Sequence, residues 1–391
     1  MSTLTVTNIN TGANDTPLTI NTGGTYGGSL KLEAANGNMI ITGNVITPNI
    51  TVTGLVTTSN IRVNEQNISP FNSAYKNKII NGNFDFWQRG TSNTSIGNIQ
   101  YLADRWVSLR VGTTCNISRQ AFTVGQTDVP GEPWYYVRQV TTSSAGAGNY
   151  YQYNQVIESV RTLAGKTATL SFWAKADASK NIATEFAQNF GTGGSPSAQV
   201  TTIGVTTHAL TTSWQKFTVT AAIPSISGKT LGTDFNDSLI LKFWLDAGSN
   251  FNSRTNTLGQ QSGTFDIAQV QIEEGPVATA FEQRHISQEL ALCQRYFWRT
   301  EYSPSGSAWP IFEAYSAAAT DASITCFFPV QMRAQPSLTK VGTWLAVNCA
   351  QPRAEQGTVD GFAIRVMVTA LGAFSTYVNS SDDYVYAEAE L

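Results

Sequence analysis

Short segments in which apolar and polar residues alternate recur along most of this chain, and they constrain its fold more than any other feature. Three of them are "WYYVRQV" from Trp134, "ATLSFWAKA" from Ala168 and "LILKFWLDA" from Leu239. Turn-forming residues separate the segments, and no helical periodicity interrupts them between residues 76 and 284. About eight such segments in roughly 200 residues predict an all-β chain with a central jelly-roll β-sandwich.

Residues 1–72 keep the alternation but contain few large apolar side chains. Within them, "ITGNVITPNITV" from Ile41 matches "VTGLVTTSNIRV" from Val52 at an offset of 11 residues, although chance similarity in a Thr- and Asn-rich segment is an alternative explanation. A thin sheet cannot by itself compensate the roughly 1 to 2 kcal/mol of backbone entropy lost per residue. The segment therefore predicts an extended β stalk in which several copies of the chain pair their edges and share a core.

The one helical pattern follows the predicted sandwich, at residues 285–299. Its apolar stripe consists of Ile286, Leu290, Cys293 and Phe297. Ser287 is the predicted N-cap, and Glu289 lies in the first turn. Residues 300–391 return to strand-like alternation and predict a small C-terminal β-sandwich. The predicted regions are thus a stalk at 1–72, a jelly roll at 76–284, a linking helix at 285–299 and a β domain at 300–391.

Charge is scarce in this chain, and its scarcity bears on the expected partners. Charged residues make up 13% of the sequence, the formal net charge is -3, and Lys and Arg form no run. Nucleic acid is not an expected partner, because phosphate binding depends on clustered cations. No segment is apolar over the ~18 to 20 residues that cross a bilayer, so membrane insertion is not expected. The N-terminus lacks a signal-peptide pattern, and the four separated cysteines are expected to be free, mostly buried thiols.

Groups suited to catalysis are sparse in the sequence. It has two histidines, His208 and His285, and neither lies beside a nucleophile motif. Adjacent carboxylates occur as Glu273 with Glu274 and as Asp382 with Asp383. Neighbours along a strand point to opposite faces of a sheet, so neither pair is expected to share a substrate. The sequence therefore predicts a protein without enzymatic activity.

Outward aromatic and charged residues indicate a carbohydrate site, because a flat ring stacks on the apolar face of a pyranose while amides and charges bond its hydroxyl groups. In "TLSFWAKA", alternation directs Trp173 and Lys175 outward, and in "LILKFWLDA" it does the same for Trp244. "YYQYNQ" from Tyr150 supplies further candidates. The predicted ligand-binding residues are Trp173, Lys175, Lys242, Trp244, Asp246, Tyr151 and Tyr153. The alternative is that loops or a neighbouring subunit cover these side chains.

Three stretches carry a resemblance to a known family. They are "NKIINGNFDFWQRGTS" with "YLADRW" after it, "LAGKTATLSFWAKAD", and "VQIEEGPVATAFEQRHISQELALCQRYF" followed by "FFPVQMRAQPSL". In order and spacing they resemble bacteriophage tail-fibre and related virion structural proteins, over about residues 76–340. The beginning and end of the predicted sandwich also resemble secreted carbohydrate-binding modules with an "NGxFE"-type motif, although Asp85 stands where Glu is usual.

The resemblance implies a virion component. The expected free thiols and the missing signal-peptide pattern fit assembly in a reducing host cytoplasm and release by lysis. It implies a homotrimer that contacts other virion proteins through its N-terminal region and recognises host-surface polysaccharide. A purely architectural capsid fibre or baseplate component without sugar binding is the alternative. An accessory module of a secreted glycosidase is a third reading, disfavoured because the sequence shows neither a signal peptide nor a catalytic domain.

The resemblance to carbohydrate-binding modules also implies a possible structural Ca²⁺ between the first and last strands of the sandwich, held by hard oxygen ligands. The matching acids in this sequence are Asp85 and Asp266. Alternatively, Asp85 pairs with Arg89 or Arg105 and binds no metal. No other cofactor is expected.

Overall fold

The computed structural model describes residues 61–63, 66–68, 75–300, 309–378, 380 and 382–391, with side chains from residue 75 onward except at residues 309 and 310. The chain divides into two units, residues 1–68 and 69–391. In the first unit, β1 (Ile61–Val63) pairs with β2 (Gln66–Ile68) in an antiparallel hairpin. The rest of the predicted stalk, with most of its 11-residue repeat, lies outside the described residues.

The central region is a sandwich of two six-stranded antiparallel sheets, which confirms the predicted β-sandwich. Its strands, in chain order, are β3 (Ser92–Asn93), β4 (Ile99–Tyr101), β5 (Trp106–Val111), β6 (Thr114–Ala121), β7 (Tyr135–Thr142), β8 (Tyr150–Glu158), β9 (Thr167–Ala176), β10 (Lys180–Asn189), β11 (Val200–Leu210), β12 (Gln215–Ala222), β13 (Ser238–Ala247) and β14 (Gly263–Glu274). The order in sheet one is β11-β10-β13-β8-β5-β4, and in sheet two it is β12-β9-β14-β7-β6-β3. A 3-10 turn (Ser249–Phe251) and the short helix α1 (Asn252–Thr255) follow β13.

Aromatic side chains fill the space between the two sheets. The ring of Trp106 stacks on Tyr153 with centroids 5.2 Å apart, and Phe84 packs 5.1 Å from Trp106. From the opposite sheet, Phe172 meets Phe243 edge to face at 5.0 Å. Because such rings bury large areas and hold definite mutual orientations, they fix how the sheets lie on each other.

Helix α2 (Ile286–Gln294) confirms the predicted helix after the sandwich, with two corrections. The N-cap is His285 rather than Ser287, and the His285 imidazole accepts a hydrogen bond from the Ser287 backbone N–H at 3.3 Å. Phe297 lies beyond the helix, in the strand that follows it. Glu289 is in the first turn as predicted, and it accepts hydrogen bonds from the Asn81 backbone N–H and from Arg284.

The C-terminal region is all β, as predicted, but its described strands form three separate three-stranded sheets. The strands are β15 (Phe297–Arg299), β16 (Trp309–Ser316), β17 (Asp321–Phe327), β18 (Ser337–Val341), β19 (Leu345–Val347), β20 (Arg353–Glu355), β21 (Gly361–Met367), β22 (Gly372–Val378) and β23 (Tyr384–Glu388). The sheet orders are β15-β23-β18, β16-β22-β19 and β17-β21-β20. Phe328, Trp344 and Phe362 are among the large buried residues of its core.

Charged side chains join the sandwich to the C-terminal sheets within residues 69–391. The Glu390 carboxylate accepts a hydrogen bond from Arg89 at 3.1 Å and one from Arg105. Arg105 is buried, and its guanidinium lies 3.5 Å from the centroid of the Tyr296 ring. The two regions therefore pack into one compact unit.

All four cysteines are free, and three of them are buried, as predicted. In the part of the chain that the structure describes, no helix has the length and apolar character needed to cross a membrane.

Candidate functional site

The outward side of sheet two carries a group of aromatic and charged side chains. In β9, Leu170 and Phe172 are buried in the core, whereas Trp173 and Lys175 are half-buried on the other side, as the alternation predicts. The antiparallel register brings neighbouring strands beside them, with Lys175 opposite Asp266. We call this group the tryptophan face: Tyr136, Arg138, Trp173, Lys175, Trp214 and Asp266.

Ion pairs and contacts with aromatic rings hold Arg138 and Lys175, the two cations of the tryptophan face, in place. Arg138 donates two hydrogen bonds to the Asp266 carboxylate, at 2.8 and 2.9 Å, which raises the pKa of its guanidinium. The Lys175 ammonium lies 3.9 Å from the same carboxylate and 5.1 Å from the centroid of the Trp214 ring. The ring of Tyr136 meets Trp214 edge to face at 5.2 Å. These contacts order polar and aromatic groups on one exposed surface before any ligand arrives.

A pocket of about 180 Å³ adjoins Trp173. Its lining includes Ser171, Trp173, Lys216, Gln269, Phe281 and Gln283. The register between β14 and β9 shifts after Ala268, and Gln269 has a positive φ of 47° at this bulge. A bulge redirects a side chain, and here the Gln269 amide donates to the Pro130 carbonyl at 2.7 Å. The pocket thus combines two aromatic rings with an ordered amide and a lysine.

Trp244 faces away from the sandwich core as predicted, but it is fully buried, so the prediction of an exposed ring at this position is wrong. Phe251 and α1 cover it, and the Trp244 indole donates to the Glu185 carboxylate at 3.1 Å. Arg254 lies 4.9 Å from the Trp244 ring and donates twice to Glu185, at 2.9 and 2.8 Å. A pyranose cannot reach this ring in the observed conformation.

Lys242 and Asp246, the neighbours of Trp244 on β13, are buried as well, which corrects their prediction as exposed ligand contacts. Burial, together with the charge of Arg254, lowers the pKa of Lys242 to about 8. The Asp246 carboxylate accepts hydrogen bonds from Ser143 at 2.9 Å and from the Gln261 backbone N–H at 2.7 Å. Asp246 therefore holds loops in place.

Tyr151 and Tyr153 lie in the core between the sheets and are not available to a ligand, so their prediction as ligand contacts is corrected. The Tyr151 hydroxyl donates to the Gln139 side chain at 2.7 Å, and burial raises the pKa values of both phenols. In "YYQYNQ", odd-numbered and even-numbered residues lie on opposite faces of the strand. Alternation alone does not show which face is inward, because the side chains on both faces can pack in a core or form hydrogen bonds.

The two predicted metal ligands occupy different environments. Asp266 is neutralised by Arg138 and Lys175 on the tryptophan face. Asp85 lines a narrow cleft beside α2 with Asn83 and Glu289, where burial raises the pKa of its carboxyl group to about 6. Within the described residues, no group of three or more His, Cys, Asp or Glu side chains is arranged to hold a metal ion. The donors present at Asp85 and Asp266 therefore do not fit a Ca²⁺ shared between them.

Asp85 forms no ion pair with Arg89 or Arg105, its two alternative partners predicted from the sequence. Arg89 is paired with Glu388 and Glu390, and Arg105 is paired with Glu390.

Two features of the surface escaped the sequence reasoning. Tyr136 and Arg138 share the outward side of β7, and the alternation of "WYYVRQV" is a signal that could have found them. A second pocket, of about 310 Å³, lies where β4 meets β15 and β23. Its lining comes from segments far apart in the chain, so no sequence pattern indicates it.

No protein-family model matches the chain, and no curated protein matches it either. Among solved structures, the enzymatically active domain of tailspike protein 4 of bacteriophage CBA120 is 13% identical and has a TM-score of 0.31. That match covers 52% of this chain and 22% of the other, so the chain spans under a quarter of the tailspike's length.

Carbohydrate-binding modules are also among the similar structures. A family 11 module from Clostridium thermocellum, solved in complex with a β-1,3-1,4-mixed-linked tetrasaccharide, is 12% identical over 49% of this chain and 99% of that one, with a TM-score of 0.29. The CBM22-1 xylan-binding domain from Paenibacillus barcinonensis is 10% identical over 52% and 96%, with a TM-score of 0.28. The chain is thus structurally similar to carbohydrate-binding modules and to a phage tailspike domain.

Proposed function

We propose that this protein binds glycans through the tryptophan face and does not hydrolyse them. The observation that carries the proposal is the half-exposed ring of Trp173, which lies between the ordered cation Lys175 and a pocket containing Lys216 and the Gln269 amide. Aromatic faces next to hydrogen-bonding side chains suit a pyranose, which has an apolar face and a rim of hydroxyl groups.

Binding at one such face is expected to be weak. Ring stacking is worth roughly 1 kcal/mol beyond the burial of area, and the pocket of about 180 Å³ encloses only part of a saccharide chain. Several copies held together increase the strength of attachment without any new contact, because later binding events become intramolecular. A multimeric appendage is a suitable setting for a site of this strength.

We further propose that the chain is a virion component of a bacteriophage, in a trimeric tail fibre or similar appendage that attaches to host-surface polysaccharide. The support is the resemblance of the three quoted sequence stretches to such proteins. The competing proposal is an architectural capsid-fibre or baseplate component that binds no sugar. The partly exposed Trp173 beside a concave pocket favours the first, since concave sites with aromatic rings and a few polar groups suit small ligands.

Trp173→Ala tests the site directly. The purified chain is titrated with host-surface polysaccharide, mixed-linked β-glucan, β-1,4-galactan and xylan, by calorimetry and affinity electrophoresis. We expect at least one of them to bind, and Trp173→Ala to weaken that binding by about fivefold or more per site, as the loss of roughly 1 kcal/mol of stacking requires.

Trp134→Ala is the matched control, because Trp134 is 55% exposed but lies outside the tryptophan face. It should bind as the wild-type chain does, and incubation should release no new reducing ends. Equal binding by Trp173→Ala and the wild type would remove the site from consideration. The absence of binding to every polysaccharide would favour the architectural alternative.

A further inference from the structure

The pocket at the junction of the sandwich and the C-terminal sheets has a lining distinct from that of the tryptophan face. Its volume is about 310 Å³, near the lower end of the range for small-molecule sites. Edge strand β4 contributes Tyr101, β15 contributes Phe297 and Arg299, and β23 contributes Tyr384 and Tyr386. We call it the junction pocket. Four aromatic rings and two arginines, Arg89 and Arg299, thus meet at one opening.

The two arginines of the junction pocket differ in their charge balance. Arg89 lies 3.0 Å from Glu388, 3.1 Å from Glu390 and 3.8 Å from Asp104, and its guanidinium covers the Phe297 ring at 3.6 Å. Arg89 is therefore compensated by the protein. Arg299 has no carboxylate within ion-pair distance among the described residues, and its recorded contact is with the Tyr384 ring at 5.1 Å.

Arg299 also has an unused hydrogen-bond donor. Its Nε atom is buried and has no hydrogen-bond partner within the part of the chain that the structure describes. A buried donor without a partner is unfavourable, so an acceptor that bonds to the Arg299 guanidinium would recover this free energy. Carboxylates are the acceptors that match a guanidinium, because their two oxygens fit its planar set of N–H groups.

The charge of the lining limits the ligand to one anionic group. The pocket is lined by two cations, Arg89 and Arg299; Glu388, Glu390 and Asp104 compensate Arg89, so among the described residues Arg299 is the lining cation left for a ligand. The remaining lining consists of aromatic rings, the aliphatic side chain of Ile99 and the amides of Gln88 and Gln100. A body with an apolar face and hydroxyl groups, bearing one carboxylate, satisfies all of these groups together.

We propose that the junction pocket binds a carboxylated sugar unit, with Arg299 as the group that recognises the carboxylate. The site is separate from the tryptophan face and does not depend on glycan binding there.

The probes are methyl β-D-glucuronide and its uncharged counterpart methyl β-D-glucoside, measured on the full chain by saturation-transfer NMR and calorimetry. The glucuronide should bind at least fivefold more tightly than the glucoside, and added salt should weaken it, since an exposed ion pair is screened. Arg299→Gln should lower glucuronide affinity at least fivefold, whereas Arg299→Lys should retain part of it. Arg353→Gln, which removes a half-exposed arginine from elsewhere in the C-terminal region, should change nothing.

Ile99 offers a second test that does not put folding at risk, because this lining side chain is 70% exposed. Ile99→Glu should repel the glucuronide, and Ile99→Gln should not. Trp173→Ala should leave glucuronide binding intact, which separates this site from the tryptophan face. The proposal is overturned by absent glucuronide binding, by equal binding of the two sugars, or by unchanged glucuronide binding in either Arg299→Gln or Ile99→Glu.

Discussion

The buried position of Lys242 affects the stability of the folded protein. Its side chain is 6% exposed, and within the described residues its ammonium group forms no recorded hydrogen bond or ion pair. Burial is the largest cause of its lowered pKa, and the nearby charge of Arg254 adds to the shift. A desolvated cation of this kind destabilises the folded state whenever it is charged.

The pH dependence of stability should reveal this residue. The folded-state pKa of Lys242 is about 8, below its ordinary value of 10.5, so the unfolded chain binds the additional proton between these values. The free energy of unfolding should therefore rise with pH across this window, and the full penalty of about 3 kcal/mol should be present below pH 8.

Lys242→Met should increase the free energy of unfolding at pH 7 and abolish the rise, as measured by urea denaturation at pH 7 and pH 10. Lys216→Met, at an exposed lysine, is the control and should keep the rise. If the free energy of unfolding of Lys242→Met still rose between pH 7 and pH 10, the rise would come from groups other than Lys242.

At the scale of elements, the two residues Glu390 and Leu391, which follow β23, form hydrogen bonds with the sandwich. We call these contacts the clasp. Glu390 is 6% exposed and accepts hydrogen bonds from both Arg89 and Arg105, while the Tyr101 hydroxyl donates to the Leu391 carbonyl at 3.1 Å. Because Arg105 is fully buried, it depends on Glu390 for its compensating charge. This clasp also positions β23 and β4, which form two sides of the junction pocket.

Glu390→Gln should destabilise the unit formed by residues 69–391. Removing one partner of a buried ion pair leaves an uncompensated charge, which costs about 3 kcal/mol or more. The melting temperature and the urea midpoint should both fall. Glu274→Gln removes an acid from the exposed Lys166–Glu274 pair and should change stability by no more than about 1 kcal/mol. A loss for Glu390→Gln no larger than that of this control would contradict the clasp.

At the scale of the whole molecule, residues 69–391 form one compact unit and residues 1–68 another. The first unit has strand-like alternation with few large apolar residues. Such a segment has little apolar area with which to stabilise itself, which supports our proposal that several copies of the chain share a core there. If copies of the chain are joined as we propose, weak glycan sites on the larger unit would act together.

The proposed homotrimer combines this need for a shared core with the resemblance to phage tail fibres, which implies three copies. Light scattering of the full chain should give about three times 42.2 kDa. Deletion of residues 1–72 should yield a monomer that retains glycan binding at a single weak site. A full-length chain that is monomeric at micromolar concentration would rule out the trimer, and a truncated chain that remains trimeric would move the interface to the larger unit.

The sequence by itself determined the β-sandwich and, in strands with a clear apolar alternation such as β9, the face on which each side chain lies. Period-two alternation placed Phe172 in the core and Trp173 outside, because successive side chains on a strand point to opposite faces. It also located α2 through apolar residues at helical spacing, although the cap and the last position of the stripe were wrong.

Tertiary structure alone decided which outward residues remain accessible. Trp173 and Trp244 both point outward, yet α1 and Phe251 cover only Trp244. The ion pair between Arg254 and Glu185, which holds α1 over this ring, joins residues that are 69 positions apart in the sequence. Likewise, the junction pocket unites Tyr101 with Arg299 and Tyr384 across three separate strands. Alternation is a local property of the chain. Whether a side chain is covered, and which residues meet in a pocket, depends instead on contacts between distant segments, which form only when the sheets pack.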